Sequence, residues 1–153
     1  MKIKSIQPIH VLYFETETSL REISEHVRIV ARRLYQDAVK NEFEITGPVY
    51  WIYEGADGQP DTKFGLTIAL PVTPDETRSS DAVFQLKYLK PFECVAGQLH
   101  GSWDKLGDMY GNLISGLSAD NLTMSGQNRE IYLNMDFLHP ERNITEVQIG
   151  IRR

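Results

Sequence analysis

Ser5-Ile6-Gln7-Pro8-Ile9-His10-Val11-Leu12 returns 83 residues further on as Tyr88-Leu89-Lys90-Pro91-Phe92-Glu93-Cys94-Val95. Proline falls on proline and apolar on apolar. Each stretch reads as a strand, and because proline cannot donate to a ladder, each proline belongs near a sheet edge or a bulge. Recurrence at a fixed offset is the mark of a repeated unit. The fold therefore depends on whether the residues C-terminal to each copy also recur.

Both copies run into a helix start. Ser19-Leu20-Arg21-Glu22 has the spacing of a capping box, and Ser102 precedes Trp103 and Asp104, a serine cap with an acid in the first turn. Ile23, Val27, Val30, Ala31 and Leu34 then line one helical face, and Leu106, Tyr110, Leu113, Ile114 and Leu117 repeat that spacing at the same offset of 83. The second helix is predicted to end near Gly116. Beyond the helices the offset becomes 79: Ile45-Thr46-Gly47 through Ile52-Tyr53 aligns with Met124-Ser125-Gly126 through Ile131-Tyr132. Ile68, Leu70 and Val72 likewise fall on Val147, Ile149 and Ile151. The four residues lost lie between helix and strand, where loops tolerate deletion.

The predicted fold is α+β, with two tandem strand-helix-strand-strand units related by a pseudo-twofold axis, antiparallel sheets and helices on one face. Unit one is 1–72 and unit two 82–153, within a single domain spanning 1–153. The segment Thr73-Pro74-Asp75-Glu76-Thr77-Arg78-Ser79-Ser80-Asp81 has the polar composition of a surface linker.

With 153 residues the chain is long enough for one sizeable core, and 41% hydrophobic with 24% charged residues is an ordinary globular mixture. A net charge of -5, with 16 Lys and Arg against 21 Asp and Glu, gives no footprint for a phosphate backbone, so direct nucleic-acid binding is not expected. The single cysteine, Cys94, cannot form an internal disulfide; with no charged start followed by an apolar stretch a signal peptide is not expected, and no run of 18 apolar residues occurs. A reducing cytoplasm is the expected compartment, with no membrane attachment.

Strand alternation assigns the candidate site. Ile131 and Leu133 share one face and Asn128, Glu130 and Tyr132 the other; with the apolar face turned to the helices, Glu130 and Tyr132 point away from them. By the same rule Ile52 takes the core side, leaving Trp51 and Tyr53 opposite, while Glu146 and Gln148 join Glu130. Trp51 and Glu130 occupy equivalent repeat positions, so pseudo-twofold packing would set an indole and a carboxylate on opposing walls. Such walls suit a lipophilic cation, since aromatic faces attract positive charge and a shielded carboxylate requires it. Pattern alone also permits Glu130 as a solvated residue of an open sheet and Trp51 and the tyrosines as caps on a small core. Tyr110 holds a helix core position, whereas Trp103, in the first turn, is free to line a groove. His10, His26, His100 and His139 lack metal-site spacing, and no phosphate loop, nucleophile elbow or Cys-His pair is present, so neither metal nor cofactor is expected.

Three segments carry a family resemblance: Cys94-Val95-Ala96-Gly97-Gln98-Leu99-His100-Gly101-Ser102-Trp103-Asp104-Lys105-Leu106-Gly107, Arg129-Glu130-Ile131-Tyr132-Leu133-Asn134, and Ile144-Thr145-Glu146-Val147-Gln148-Ile149-Gly150-Ile151. In this order they resemble the GyrI-like effector-binding family, most clearly over residues 82–151. The resemblance implies a duplicated α+β fold with a central groove for hydrophobic, often cationic molecules. It further implies that Glu130 is the acid at the pocket floor and that Glu146 matches the second family acid, which can be structural. Gly150 stands where the family often has proline. Relatives often carry this domain behind a DNA-binding helix-turn-helix; here the first strand begins near Lys2, so a stand-alone module is expected. Ligand binding through Glu130, Trp51, Tyr53, Tyr132, Trp103 and Glu146 is the leading expectation, with no protein partner assigned. The rivals are a hydrolase of cyclopropane-containing or other electrophilic toxins, with Glu130 as general base, and a gyrase-modulating interaction protein.

Overall fold

The computed structural model describes residues 1–75 and 82–152, apart from the side chains of 26–28. Most of the predicted linker, and the side chain of Val27, lie outside what is described.

Each proline-containing segment is two strands rather than one. β1 (Lys2–Ile6) stops before Pro8 and β2 (Ile9–Thr18) begins after it; β5 (Gln85–Leu89) and β6 (Phe92–His100) flank Pro91 in the same way. A residue that cannot donate to a ladder and that restricts its predecessor is where a chain can leave one partner for another. That happens here: β1 pairs antiparallel with β6, and β5 pairs antiparallel with β2. The compact units are consequently Met1–Gln7 with Pro91–Arg153, and Pro8–Lys90. Their boundaries differ from the contiguous 1–72 and 82–153, because the short strand ahead of each proline belongs to the ladder of the other half of the sequence.

In the unit formed by Met1–Gln7 and Pro91–Arg153, the strand order is β1-β6-β8-β7, with β7 spanning Thr123–Asn134 and β8 Ile144–Arg152. Helix α2 (Leu106–Ala119) follows a 3-10 turn at Trp103–Lys105. Val95, Val147, Ile149 and Ile151 pack with Leu113 and Leu117 of α2 as its core, and Leu106, Met109 and Tyr110 lie against them. Ile114, predicted for the same stripe, is 39% exposed. The other unit, Pro8–Lys90, has the order β3-β4-β2-β5, with β3 at Tyr50–Glu54, β4 at Phe64–Pro71 and α1 at Ser24–Lys40. Of the predicted α1 face, Val30 and Leu34 are buried and Ala38 continues it, whereas Ala31 is half-buried and Ile23 precedes the helix. Ile45, predicted to open a strand, makes only an isolated bridge to Val72. Among the described residues, eight antiparallel strands and two α-helices make this an α+β protein.

The helix starts depart from the predicted caps. Residues 20–23 form turns, the Glu22 amide donates to the Ser19 carbonyl at 3.1 Å, and no side chain caps α1. Ser102 likewise accepts the Lys105 amide through its backbone carbonyl at 3.1 Å, without a side-chain cap. α2 continues past Gly116 to Ala119. The register of β7 on β8 shifts between Met124 and Asn128. There the irregular strand crowds Gly150: a Cβ at that position would meet the Ser125 hydroxyl, lie 2.6 Å from the Gln127 carbonyl oxygen and 2.8 Å from the Phe92 ring. No helix among the described residues is long and apolar enough to cross a membrane.

Candidate functional site

Pairing register decides which side chains share a face. Glu130 stands opposite Val147 and Tyr132 opposite Thr145, and Val147 belongs to the core cluster built on α2. Glu130 and Tyr132 therefore project from the helix-bearing face, the reverse of the predicted orientation. Ile131, opposite Glu146, takes the other side. Arg129, Glu130, Ile131 and Tyr132 are all buried, so polarity along β7 marks no water-facing side.

The same correction applies to Trp51 and Tyr53 in the Pro8–Lys90 unit. Trp51 is opposite Ile68, which is opposite Phe14. The Phe14 ring meets Phe84 edge-on at 6.4 Å, and the Phe84 amide donates to Asp37 of α1 at 3.0 Å. Trp51 and Tyr53 thus lie on their sheet's helix-bearing face, 9% and 8% exposed, with Tyr53 5.6 Å from the Phe64 ring. Ile52 lies on the opposite face, in a cluster of strand residues with Val11, Ala69 and Leu89.

Two predicted residues, Tyr132 and Trp103, converge around Glu130, and three more join them. Tyr110 reaches across from α2 and donates its hydroxyl to one Glu130 oxygen at 2.6 Å; Tyr132, two positions along β7, donates to the other at 2.5 Å. Glu130 is 5% exposed. The two hydroxyl donors give each oxygen of this buried carboxyl a hydrogen-bond partner. Trp103 sits beside them: its indole N–H donates to the Thr145 hydroxyl at 3.0 Å, which fixes the ring, and the ring stands edge-on to Tyr132 at 5.7 Å. Phe137, in the β7–β8 connection, meets the same indole edge-on, also at 5.7 Å. The arrangement is an acid held by tyrosine hydroxyls and bordered by polarisable aromatic rings.

Tyr110, Thr145 and Phe137 were not among the predicted ligand residues. Tyr110 does pack against the core as its helical spacing indicated, but a tyrosine at such a position also carries a hydroxyl that seeks a polar partner, and that was the available signal. Thr145 and Phe137 carried no comparable sequence cue.

Glu146 lies across the sheet from Glu130. It accepts Lys4 Nζ at 3.0 Å, Gln98 Nε2 at 3.0 Å and Gln148 Nε2 at 2.7 Å. Burial by itself pushes its carboxyl up, but the bonds from Gln98, Gln148 and Lys4, with the Lys4 charge, outweigh burial and hold it below its ordinary value. Cys94 is on that same face, fully buried. Burial first, and then the Glu146 charge, push its thiol up to about 11, so it is no nucleophile at neutral pH. No metal-holding group of three His, Cys, Asp or Glu occurs among the described residues. A depression of about 280 Å³ lined by Glu15, Thr16, Glu54, Gly65, Leu66 and Thr67 contains none of the predicted site residues.

A family model for the GyrI-like small molecule binding domain matches residues 1–152. No curated protein sequence matches the chain. Among solved structures, the EcmrR C-terminal domain is similar with a TM-score of 0.75 at 15% identity, over 99% of this chain and 96% of that one. In the EcmrR–DNA complex the likeness (TM-score 0.79, 13% identity) covers 99% of this chain and 57% of that one. SAV2435 bound to tetraphenylphosphonium has a TM-score of 0.66 at 14% identity, over 99% and 93% of the two chains. A hydrolase encoded by lin2189 from Listeria innocua has a TM-score of 0.65 at 15% identity, over 99% and 92%. At these identities the likeness is one of fold.

Proposed function

Because the chain belongs to the GyrI-like small-molecule-binding family, we propose that it binds a hydrophobic cation, whose charge Glu130 neutralises and whose apolar surface Trp103 and Tyr132 contact. The observation that carries this reading is the pair of tyrosine hydroxyls on the buried Glu130 carboxylate. A quaternary phosphonium or ammonium ion has no hydrogen-bond donor to offer. A carboxylate already supplied with donors by the protein can attract such an ion through space without losing its hydrogen bonds. The Trp103 and Tyr132 rings add cation–π attraction of about 0.5–2 kcal/mol each. A fold relative, SAV2435, is bound to an ion of this class. For Trp51 and Tyr53, ligand contact is proposed from the sequence repeat alone; for Glu146, with its donors supplied by the protein, a structural role is preferred.

Calorimetric titration of tetraphenylphosphonium into the wild type and Glu130→Gln tests the reading. Removing one member of a desolvated charge pair costs about 2–4 kcal/mol, or roughly 30- to 1000-fold in Kd. Equal affinities would sink the role given to Glu130, and Trp51→Ala titrated alongside tests the repeat-based contact.

Similar folds that are hydrolases support a second reading, in which Glu130 activates water with help from Tyr132. Binding is preferred because both Glu130 oxygens already accept tyrosine hydroxyls. Mass spectrometry of an electrophilic cyclopropane compound incubated with the protein separates the two, since turnover above the buffer rate would favour hydrolysis.

A further inference from the structure

Phe137 is half exposed (51%), and its neighbour Leu138 is 87% exposed, at the outer end of the β7–β8 connection. Exposed loop tips are ordinarily polar, and these side chains are not held out by a slack loop. The Asp136 amide donates to Asn143 Oδ1 at 2.7 Å, and Asp136 Oδ1 accepts the amides of Leu138 at 3.0 Å and His139 at 2.9 Å. Asn134 Nδ2 donates to the Arg142 carbonyl at 2.9 Å, and Asn143 is 1% exposed. The connection is thus pinned at both ends around an apolar tip. That tip is continuous with the acid site: Phe137 meets Trp103, Trp103 meets Tyr132, and Tyr132 bonds Glu130. An aromatic path leads from solvent to the buried carboxylate.

We propose that Phe137 is the specificity-determining residue that selects cations by apolar bulk, covering the part of a large aryl-bearing ligand that extends outward from the Glu130 charge site past Trp103. This rests on the cation-binding reading above. A compact alkyl cation satisfied at Glu130 and Tyr132 does not extend that far and gains nothing from Phe137. A tetraaryl cation does, and buries the exposed ring against itself.

The test is titration of two probes, tetraphenylphosphonium and tetramethylammonium, into the intact wild type, Phe137→Ala and Phe137→Leu, with thermal unfolding of each variant to establish folding. Losing one well-buried aromatic contact corresponds to about tenfold in Kd. The expected result is about tenfold weaker tetraphenylphosphonium binding to Phe137→Ala, most of it restored in Phe137→Leu, with tetramethylammonium unchanged. Unchanged tetraphenylphosphonium binding, or equal weakening of both probes, overturns the proposal, since equal weakening would mean that Phe137 only props the Trp103 ring. Wild type that binds neither probe refutes the underlying cation reading itself.

Discussion

Replacing Glu146 by glutamine separates the two acids that the sequence placed together. Glu146 accepts Lys4, Gln98 and Gln148 while 7% exposed. Glutamine keeps one acceptor oxygen but turns an amide NH2 toward a shell of donors, leaving at least one donor facing another. Hydrogen bonds to a charged group contribute about 1.5–3 kcal/mol each. The Lys4 bond counts for less because its side chain is 34% exposed and screened by water. The loss is therefore about 3 kcal/mol, which lowers Tm by roughly 6–12 °C for a chain of this size. The sign with pH is set by the direction of the shift. A carboxyl held below its ordinary value when folded contributes stability above the unfolded pKa, near 4.3 for glutamate, and loses it as pH falls through the lowered folded value. The gap between wild type and Glu146→Gln should accordingly be widest near pH 7 and shrink as the solution is acidified below about pH 4. Thermal unfolding by circular dichroism across this range measures it, with tetraphenylphosphonium titration at pH 7 as the second readout. A variant as stable as wild type at pH 7, or one that stays folded but loses cation binding as severely as Glu130→Gln, would refute the assignment of Glu146 to structure and Glu130 to ligand.

Gly150→Ala should destabilise the protein by about 1–3 kcal/mol through overpacking, because its Cβ would fall 2.6 Å from the Gln127 carbonyl oxygen; urea unfolding checks this, and a neutral substitution would contradict the crowding. Cys94, fully buried with its thiol raised to about 11, should react with an aromatic disulfide reagent at pH 8 only at the rate at which the fold opens. Labelling as fast as for a free thiol at low denaturant would show that the site is open.

Much of the architecture was legible along the chain. The spacing of Leu106, Tyr110, Leu113 and Leu117 marked the α2 face that packs on the sheet, and alternation correctly turned Val147, Ile149 and Ile151 toward it. β7 defeated the same rule. Its central residues are buried on both faces, so Ile131 and Glu130 each satisfy a buried environment, one by apolar packing and the other by hydrogen bonds. An alternation rule that equates polar with outward has no means of distinguishing these cases. The caps failed for a related reason: Ser19 and Ser102 serve as backbone acceptors in turns ahead of helices that begin later than the serines suggested.

Local periodicity thus determined, without any three-dimensional information, that the chain carries amphipathic helices, strand segments around Pro8 and Pro91, and an acid at position 130 two residues from a tyrosine. These properties depend on residues close in sequence, where propensity and burial act directly. Tertiary structure alone decided that β1 pairs with β6 and β5 with β2, that Glu130 and Glu146 stand on opposite faces, and that Tyr110 and Tyr132 share one carboxylate. Register is set between residues far apart in the chain, and a shift of one position exchanges the faces of a strand. The carboxylate's environment is a consequence of that register.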